Sequence, residues 1–185
     1  LRKRRSKKID IPVPDKAEGW FALRSSEFFR FRVPGGQRPG PNAPAALEQL
    51  AARYWARADG DIGQSLADIF TTDATLILGS LALEGLPAIE AFFRERDLSQ
   101  QQAQRTTRHI ACNHIVTAAP EGSLRLRSTV VVYVGTGEWP LPSGVPAGIA
   151  DFDDICVKEA AGGWRFRSRS GRTVFTGPGA SKFAR

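Results

Sequence analysis

The sequence predicts an α+β domain in which three N-terminal helices pack on one face of a curved, mostly antiparallel sheet and enclose a pocket. Residues 45–93 place apolar side chains at helical spacing. Residues 106–172 contain four runs rich in Val, Ile, Thr and aromatic residues, separated by loops that contain Gly or Pro. Helices followed by a run of strands are typical of the α+β class, and a bent sheet covered by helices leaves a cavity.

The excess positive charge of the chain is confined to its N-terminal part. The 185-residue chain has a formal net charge of +7, and residues 1–44 contain 11 Lys and Arg against 4 Asp and Glu, whereas residues 45–185 contain 15 of each. Residues 1–44 are also rich in Pro and Gly, which predicts a basic arm without long helices or strands. Short blocks of like charge are commonly solvated arms, and this interpretation is favoured over a specific contact with nucleic acid or a membrane.

A single folded domain is predicted over residues 45–175, followed by a C-terminal tail over residues 176–185. No apolar segment reaches the length of a membrane span, and none follows the basic run as it would in a secretory signal. We therefore expect a cytoplasmic protein. Cys112 and Cys156 are expected to be free thiols, because their compartment is reducing and their surroundings lack the spacing of a metal site.

Three helices are predicted at the start of the domain. In the first, residues 45–59, apolar side chains recur every three or four positions, and an Asp-Gly-Asp sequence ends the pattern. The second helix covers residues 62–70 and leads into a short strand over residues 73–78. The third helix begins with Pro87 in its first turn, a position that proline favours.

Four longer strands make up the second half of the domain. They are predicted over residues 106–117, 124–134, 150–158 and 164–172. In the last strand, positions 165, 167 and 169 are all arginine, and they alternate with Trp, Phe and Ser. This alternation predicts one packed face and one solvated face that carries the arginines.

Several segments of this sequence match a known family in their order along the chain. They are Leu50–Asp61, Leu66–Leu76, Leu83–Phe93, Thr107–Asn113, and Phe152–Lys158 with Gly163–Phe166. Together they resemble the NTF2-like superfamily, in particular its SnoaL-like branch. This branch is related to scytalone dehydratase-type enzymes and to the small subunits of ring-hydroxylating dioxygenases. The resemblance implies a cystatin-like cone built around a pocket.

Two residues are the candidate catalytic groups that the resemblance implies, Asp59 and His109. Asp59 ends the first predicted helix, where its carboxylate would act as a base or would orient His109. An apolar pocket is expected to raise the pKa of this carboxyl. Histidine exchanges protons near neutral pH, which suits acid–base catalysis. The alternatives are an aspartate that only ends the helix and a histidine that is hydrogen-bonded inside the sheet.

Further residues are predicted to bind substrate through a polar or aromatic group. They are Tyr54, Asn113, Ser128, Trp139 and Asp154. Asn113 follows His109 by four positions and would share its face in a regular strand, whereas His114 would lie on the opposite face. For Tyr54 the alternative is packing in the core. Trp139 lies in a Gly- and Pro-rich loop over residues 135–148, which could cover the pocket mouth or contact a second subunit.

The resemblance implies a small-molecule enzyme that uses cofactor-independent acid–base chemistry. The reaction would be an isomerisation, dehydration or cyclisation of an apolar polyketide-, steroid- or aromatic-like substrate. The dehydratases have a second histidine on the strand that here covers residues 124–130, and this strand contains none. The alternative is a non-catalytic ligand-binding or structural subunit, such as an oxygenase small subunit. We expect no cofactor, no metal and no nucleic-acid or membrane partner, and we expect a homo-oligomer, either a dimer or a trimer.

Overall fold

The computed structural model describes residues 39–160 and 162–180. Most of the predicted basic arm and the end of the predicted C-terminal tail lie outside these residues. The helices are α1 (Ala43–Ala58) and α2 (Leu86–Gln102). The strands are β1 (Phe70–Leu78), β2 (Leu81–Glu84), β3 (Arg105–Ala118), β4 (Leu124–Thr136), β5 (Gly148–Lys158) and β6 (Trp164–Thr176).

All six strands form one sheet with the order β2-β1-β6-β5-β4-β3. The four long strands β3 to β6 pair antiparallel in sequence order, and β2 pairs antiparallel with β1. β1 joins this set by pairing in parallel with β6. The predicted mostly antiparallel sheet and the four predicted long strands are therefore confirmed.

Both helices bury their apolar stripe on the same face of the sheet. In α1 the buried side chains Leu47, Leu50, Tyr54 and Ala58 recur every three or four residues, as the helix period requires. Ile89 and Phe93 of α2 join them in one cluster with apolar side chains of β1, β4, β5 and β6. Within the described part of the chain, neither helix combines the length and the apolarity that a membrane crossing needs.

The prediction of three helices is wrong, because the second helix is reduced to a short 3-10 turn at Leu66–Asp68. The backbone N–H of Gly63 donates to the Asp61 carboxylate, which closes a local turn that competes with helix. From Phe70 the chain is instead a strand, and Phe70 pairs with Phe166 of β6. A helical pattern over nine residues was therefore overridden by pairing with a strand almost a hundred residues away. The hairpin partner β2 was also missed.

Two bulges change which side chains face the helices. In β3, Asn113 has a φ of 55° and the register with β4 shifts between Cys112 and Ile115, so that an extra residue is inserted. In β6, the register with β5 shifts between Phe166 and Ser168, and Arg169 turns inward. The prediction that the arginines of the last strand share a solvated face is therefore wrong for Arg169, which is fully buried.

Gly171 gives a test of how tightly β5 and β6 pack, because it lies opposite Phe152 in the sheet register. A Cβ atom at Gly171 would lie 2.5 Å from Cζ and 2.7 Å from Cε1 of the Phe152 ring. We expect Gly171→Ala to lower the free energy of unfolding by about 1–3 kcal/mol, the usual cost of overpacking a core. Urea denaturation measures this change. Gly144→Ala, where the added Cβ meets nothing within 4 Å, is the control and should be near neutral. Equal stability of both variants would contradict the packing described.

Candidate active site

The carboxylate of Asp59 connects the end of α1 to β3. Its Oδ1 accepts a hydrogen bond from the Thr107 hydroxyl at 2.9 Å and lies 2.6 Å from Nδ1 of His109. Its Oδ2 accepts the backbone N–H of His109 at 2.9 Å. Asp59 is the residue at which α1 ends, so the helix terminus itself brings the carboxylate to the strand. One side chain thereby holds both the main chain and the ring of His109.

Burial and hydrogen bonding act in opposite directions on the pKa of Asp59. Burial alone would raise this pKa, but the hydrogen bonds and the charge of His109, together with the Thr107 hydroxyl, outweigh it and hold the pKa below its ordinary value. The expected increase in the pKa of this carboxyl is therefore wrong. The carboxylate is ionised at neutral pH and accepts a hydrogen bond from the Nδ1–H group of His109.

The imidazole of His109 is fixed on its face as well as on its edge. The Trp55 ring stacks on it with centroids 4.6 Å apart and an angle of 18° between the planes. The His109 side chain is 12% exposed. Because Nδ1–H donates to Asp59, the neutral ring carries its lone pair on Nε2. This arrangement makes Nε2 a proton acceptor that is held in place.

His109 lines a cavity of about 840 Å³, which we call the main cavity. This volume lies in the range of roughly 300–1,000 Å³ that is usual for small-molecule sites. Its apolar wall consists of side chains from β4, β5 and α2, among them Val132, Ile149 and Phe92. A smaller cavity of about 170 Å³ shares His109 and reaches the rings of Tyr54 and Trp55.

Two arginines give the main cavity a polar side next to His109. Arg96 of α2 donates to the carbonyl oxygen of Ala58, and its Nη2 lies 3.5 Å from the Thr107 hydroxyl. Arg105 at the start of β3 donates to the carbonyl oxygen of Gly179 at 2.9 Å. Burial lowers the pKa of Arg96 from its ordinary value. The guanidinium group of Arg96 lies close to the Thr107 hydroxyl that donates to Asp59.

A buried ion pair lies behind the histidine. Nη1 of Arg169 donates to Oδ2 of Asp154 at 2.6 Å, and both side chains are fully buried. The guanidinium carbon is 4.1 Å from the centroid of the Tyr54 ring, and it lies 4.6–4.7 Å from those of Trp55, Phe152 and Phe166. Burial raises the pKa of Asp154 to about 7, although Arg169 opposes the shift. This pair supports Trp55 from within the core.

The remaining predicted binding residues are distributed over different environments. Asp154 faces inward, but it pairs with Arg169 and does not line either cavity. Ser128 is also buried away from the cavities. Tyr54 lines the smaller cavity, and burial raises the pKa of its hydroxyl.

Asn113 and Trp139 also lie away from the cavity lining. Asn113 is exposed at the bulge of β3, so the expectation that it shares a face with His109 is wrong. The same inserted residue puts His114, rather than Asn113, on the buried side of the strand, where its Nε2 atom is buried. Trp139 is 69% exposed and donates through Nε1 to the Thr106 hydroxyl at 2.9 Å.

Sequence reasoning missed Thr107, Trp55, Arg96 and Arg105. Thr107 precedes His109 by two residues, so strand parity alone places it on the same face. Arg96 follows Phe92 by four residues, which is the spacing of one helix face. Arg105 precedes Thr107 by two residues and has the same parity, and Trp55 lies at helical spacing from Ala51 and Ala58. Residues 39–160 and 162–180 contain no group of three His, Cys, Asp or Glu side chains that could hold a metal ion.

Comparison with known proteins gives one family and many similar structures. The family described as a SnoaL-like domain matches residues 42–170. None of the curated proteins matches the chain in sequence.

Three solved structures illustrate the likeness. ActVI-ORFA from Streptomyces coelicolor is 20% identical, with a TM-score of 0.62 over 72% of this chain and 96% of its own. Aln2 from another Streptomyces strain is 26% identical, with a TM-score of 0.61 over 74% and 94%. A protein of unknown function with a cystatin-like fold from Nostoc punctiforme is 21% identical, with a TM-score of 0.60 over 78% and 98%. The predicted cystatin-like fold is confirmed.

The lowered pKa of Asp59 predicts how stability depends on pH. A carboxyl whose pKa is lower in the folded state contributes stability above its unfolded pKa, about 4, and loses it as the pH falls through the folded value. We expect Asp59→Asn to lower the free energy of unfolding by about 1–3 kcal/mol near neutral pH, and the difference from the original protein to shrink in acid. Urea denaturation between about pH 3 and pH 7 measures both.

Asp61→Asn is the control for this measurement, because Asp61 is an exposed aspartate two residues further along. It should change the free energy of unfolding by less than about 1 kcal/mol. A destabilisation by Asp59→Asn of the same size in acid as at neutral pH would show that the charge of Asp59 contributes nothing.

Proposed function

The chain belongs to the SnoaL-like domain family, and from this premise we propose that it is a cofactor-independent enzyme that moves protons on a small, largely apolar substrate. The observation that carries the proposal is the 2.6 Å contact between Asp59 Oδ1 and His109 Nδ1, made at the wall of a cavity of about 840 Å³. A carboxylate, an imidazole and a ligand-sized cavity are the parts that general acid–base catalysis needs.

His109 is the general base and acid of this mechanism. Asp59 accepts a hydrogen bond from the Nδ1–H group, which leaves the lone pair of the neutral ring on Nε2. With this lone pair, Nε2 takes a proton from a carbon next to a carbonyl group of the substrate. The imidazolium that forms is stabilised by the carboxylate 2.6 Å away. Returning the proton to another carbon gives an isomerisation, and delivering it to a departing hydroxyl gives a dehydration.

Neighbouring side chains hold the imidazole and the carboxylate in position for proton transfer. Trp55 covers one face of the imidazole, and Thr107 fixes the carboxylate that orients it. A positioned general acid or base typically contributes about 10²–10⁴-fold to the rate. The apolar wall formed by Phe92, Val132 and Ile149 favours a polyketide-, steroid- or aromatic-like ketone as the substrate.

Proton exchange tests the function without knowledge of the natural substrate. The protein is incubated in D₂O with 1-tetralone, 2-tetralone and 5-androstene-3,17-dione, and loss of the protons next to the carbonyl is followed by NMR. We expect faster exchange with at least one ketone than with buffer alone. Asp59→Asn and His109→Gln should each reduce the catalysed rate by about 10²–10⁴-fold. Because the two groups act as one unit, the double variant should be little worse than either single variant.

His114→Gln and Asp61→Asn are the matched controls, since they remove the other histidine and a nearby exposed aspartate. Both should retain the catalysed rate. Exchange that is equal in the original protein and in His109→Gln, or no catalysed exchange with any of the three ketones, would reject the proposal. The second outcome, together with ligand binding, would favour a non-catalytic ligand-binding subunit.

A further inference from the structure

The two arginines of the main cavity form no salt bridge with an acidic side chain in the part of the chain that the structure describes. Other arginines do: Arg57 pairs with Asp97, Arg125 with Asp153 and Arg169 with Asp154. Arg96 and Arg105 form no such ion pair within residues 39–160 and 162–180. Both line the same cavity as His109. A guanidinium that has no carboxylate partner at the wall of a cavity can bind an anionic group of a ligand.

The protein bonds of Arg96 leave part of its donor set free. Nη1 is used by the carbonyl oxygen of Ala58 and, at 3.4 Å, by Gln100, while the Nη2 contact with Thr107 is long at 3.5 Å. The Ala58 bond holds the guanidinium plane in place. An arginine has five N–H donors in a fixed planar fork, so Arg96 retains donors for a ligand.

Arg105 adds a second positive charge on the same side. Its Nη2 donates to Gly179, which leaves the rest of its guanidinium without a carboxylate. Burial lowers the pKa of Arg96, the negative charges of Asp59 and Asp97 oppose this shift, and the positive charge of Arg105 adds to it. Two guanidinium groups that repel each other are stabilised when an anion lies between them.

The acidic groups near this cavity form no ion pair with Arg96 or Arg105 in the part of the chain that the structure describes. Glu95 is the acidic residue of the described cavity lining, and it is exposed to solvent. Asp59 is already bonded to His109 and Thr107. The lining also includes the apolar side chains of Phe92, Val132 and Ile149, so a ligand that fits has one anionic end and an apolar body.

We propose that the ligand of the main cavity is an organic carboxylate with a flat, largely apolar body, and that Arg96 and Arg105 bind its carboxylate while the body extends along Phe92, Val132 and Ile149. The proposal rests on the proposed function for the identity of the cavity and narrows its substrate class. It is tested by measuring ligand binding, so the outcome of that test does not depend on whether the protein catalyses the proposed reaction.

The test compares 2-naphthoate with 2-naphthamide, which has nearly the same shape and no charge. Binding to the full chain is measured by calorimetry at neutral pH. We expect 2-naphthoate to bind at least about tenfold more tightly than 2-naphthamide, as a charge-assisted hydrogen bond provides. The preference should decrease at 0.5 M NaCl.

Arginine variants identify where the carboxylate binds. Arg96→Gln and Arg105→Gln should each reduce the preference for 2-naphthoate to less than about threefold and leave 2-naphthamide binding unchanged. Arg96→Lys, which keeps the charge, should retain part of the preference and covers the case in which Arg96→Gln fails to fold. Arg94→Gln, an exposed arginine two residues earlier on α2, is the control and should behave like the original protein.

Three results would overturn the proposal. They are equal binding of the two compounds, no binding of either, and a preference for 2-naphthoate that survives both Arg96→Gln and Arg105→Gln. The outcome for catalysis is separate. If 2-naphthoate binding depends on both arginines but His109→Gln leaves proton exchange unchanged, the substrate class stands and the proposed reaction does not.

Discussion

One carboxylate, that of Asp59, joins the end of α1 to β3. Its three hydrogen bonds use the Thr107 hydroxyl, the backbone N–H of His109 and the His109 ring. The end of α1 is also tied to α2, because Arg96 donates to Ala58 and Arg57 forms a two-bond ion pair with Asp97. A helix terminus thus serves as the point at which α1, α2 and the sheet meet. The geometry of the imidazole follows from that junction.

The buried pair of Arg169 and Asp154 supports this junction from inside. Removing two charges from water is costly, and a buried pair often does no more than balance that cost. Here four aromatic rings surround the guanidinium at 4.1–4.7 Å, and such cation–π contacts offset part of the lost hydration. Trp55 contacts both this guanidinium and His109. The stacked ring therefore links the charged core to the proposed base.

The cavity combines two kinds of wall, and each follows from a different element. The apolar wall comes from inward-facing positions of β4 and β5, where alternation directs Val132 and Ala150 toward the helices. The polar side comes from the helix face of Arg96 and from the start of β3, at Arg105 and Thr107. The proposed base, His109, lines the same cavity, so in the proposed reaction the apolar wall binds the body of the substrate while proton transfer takes place at the imidazole.

Periodicity and resemblance in the amino-acid sequence were enough to predict the helix α1, the opening of α2 at Pro87 and the four long strands, because each rests on contacts between residues close in the chain. They also paired Asp59 with His109. They could not predict that residues 62–70 would mostly abandon the helix, since that depends on pairing of Phe70 with distant Phe166. They also could not predict on which face of the sheet the side chains of Asn113 and Arg169 lie. An alternating pattern has the same appearance with or without a bulge, and only the hydrogen bonds to the neighbouring strand decide where the extra residue is inserted and which side chain turns into the core.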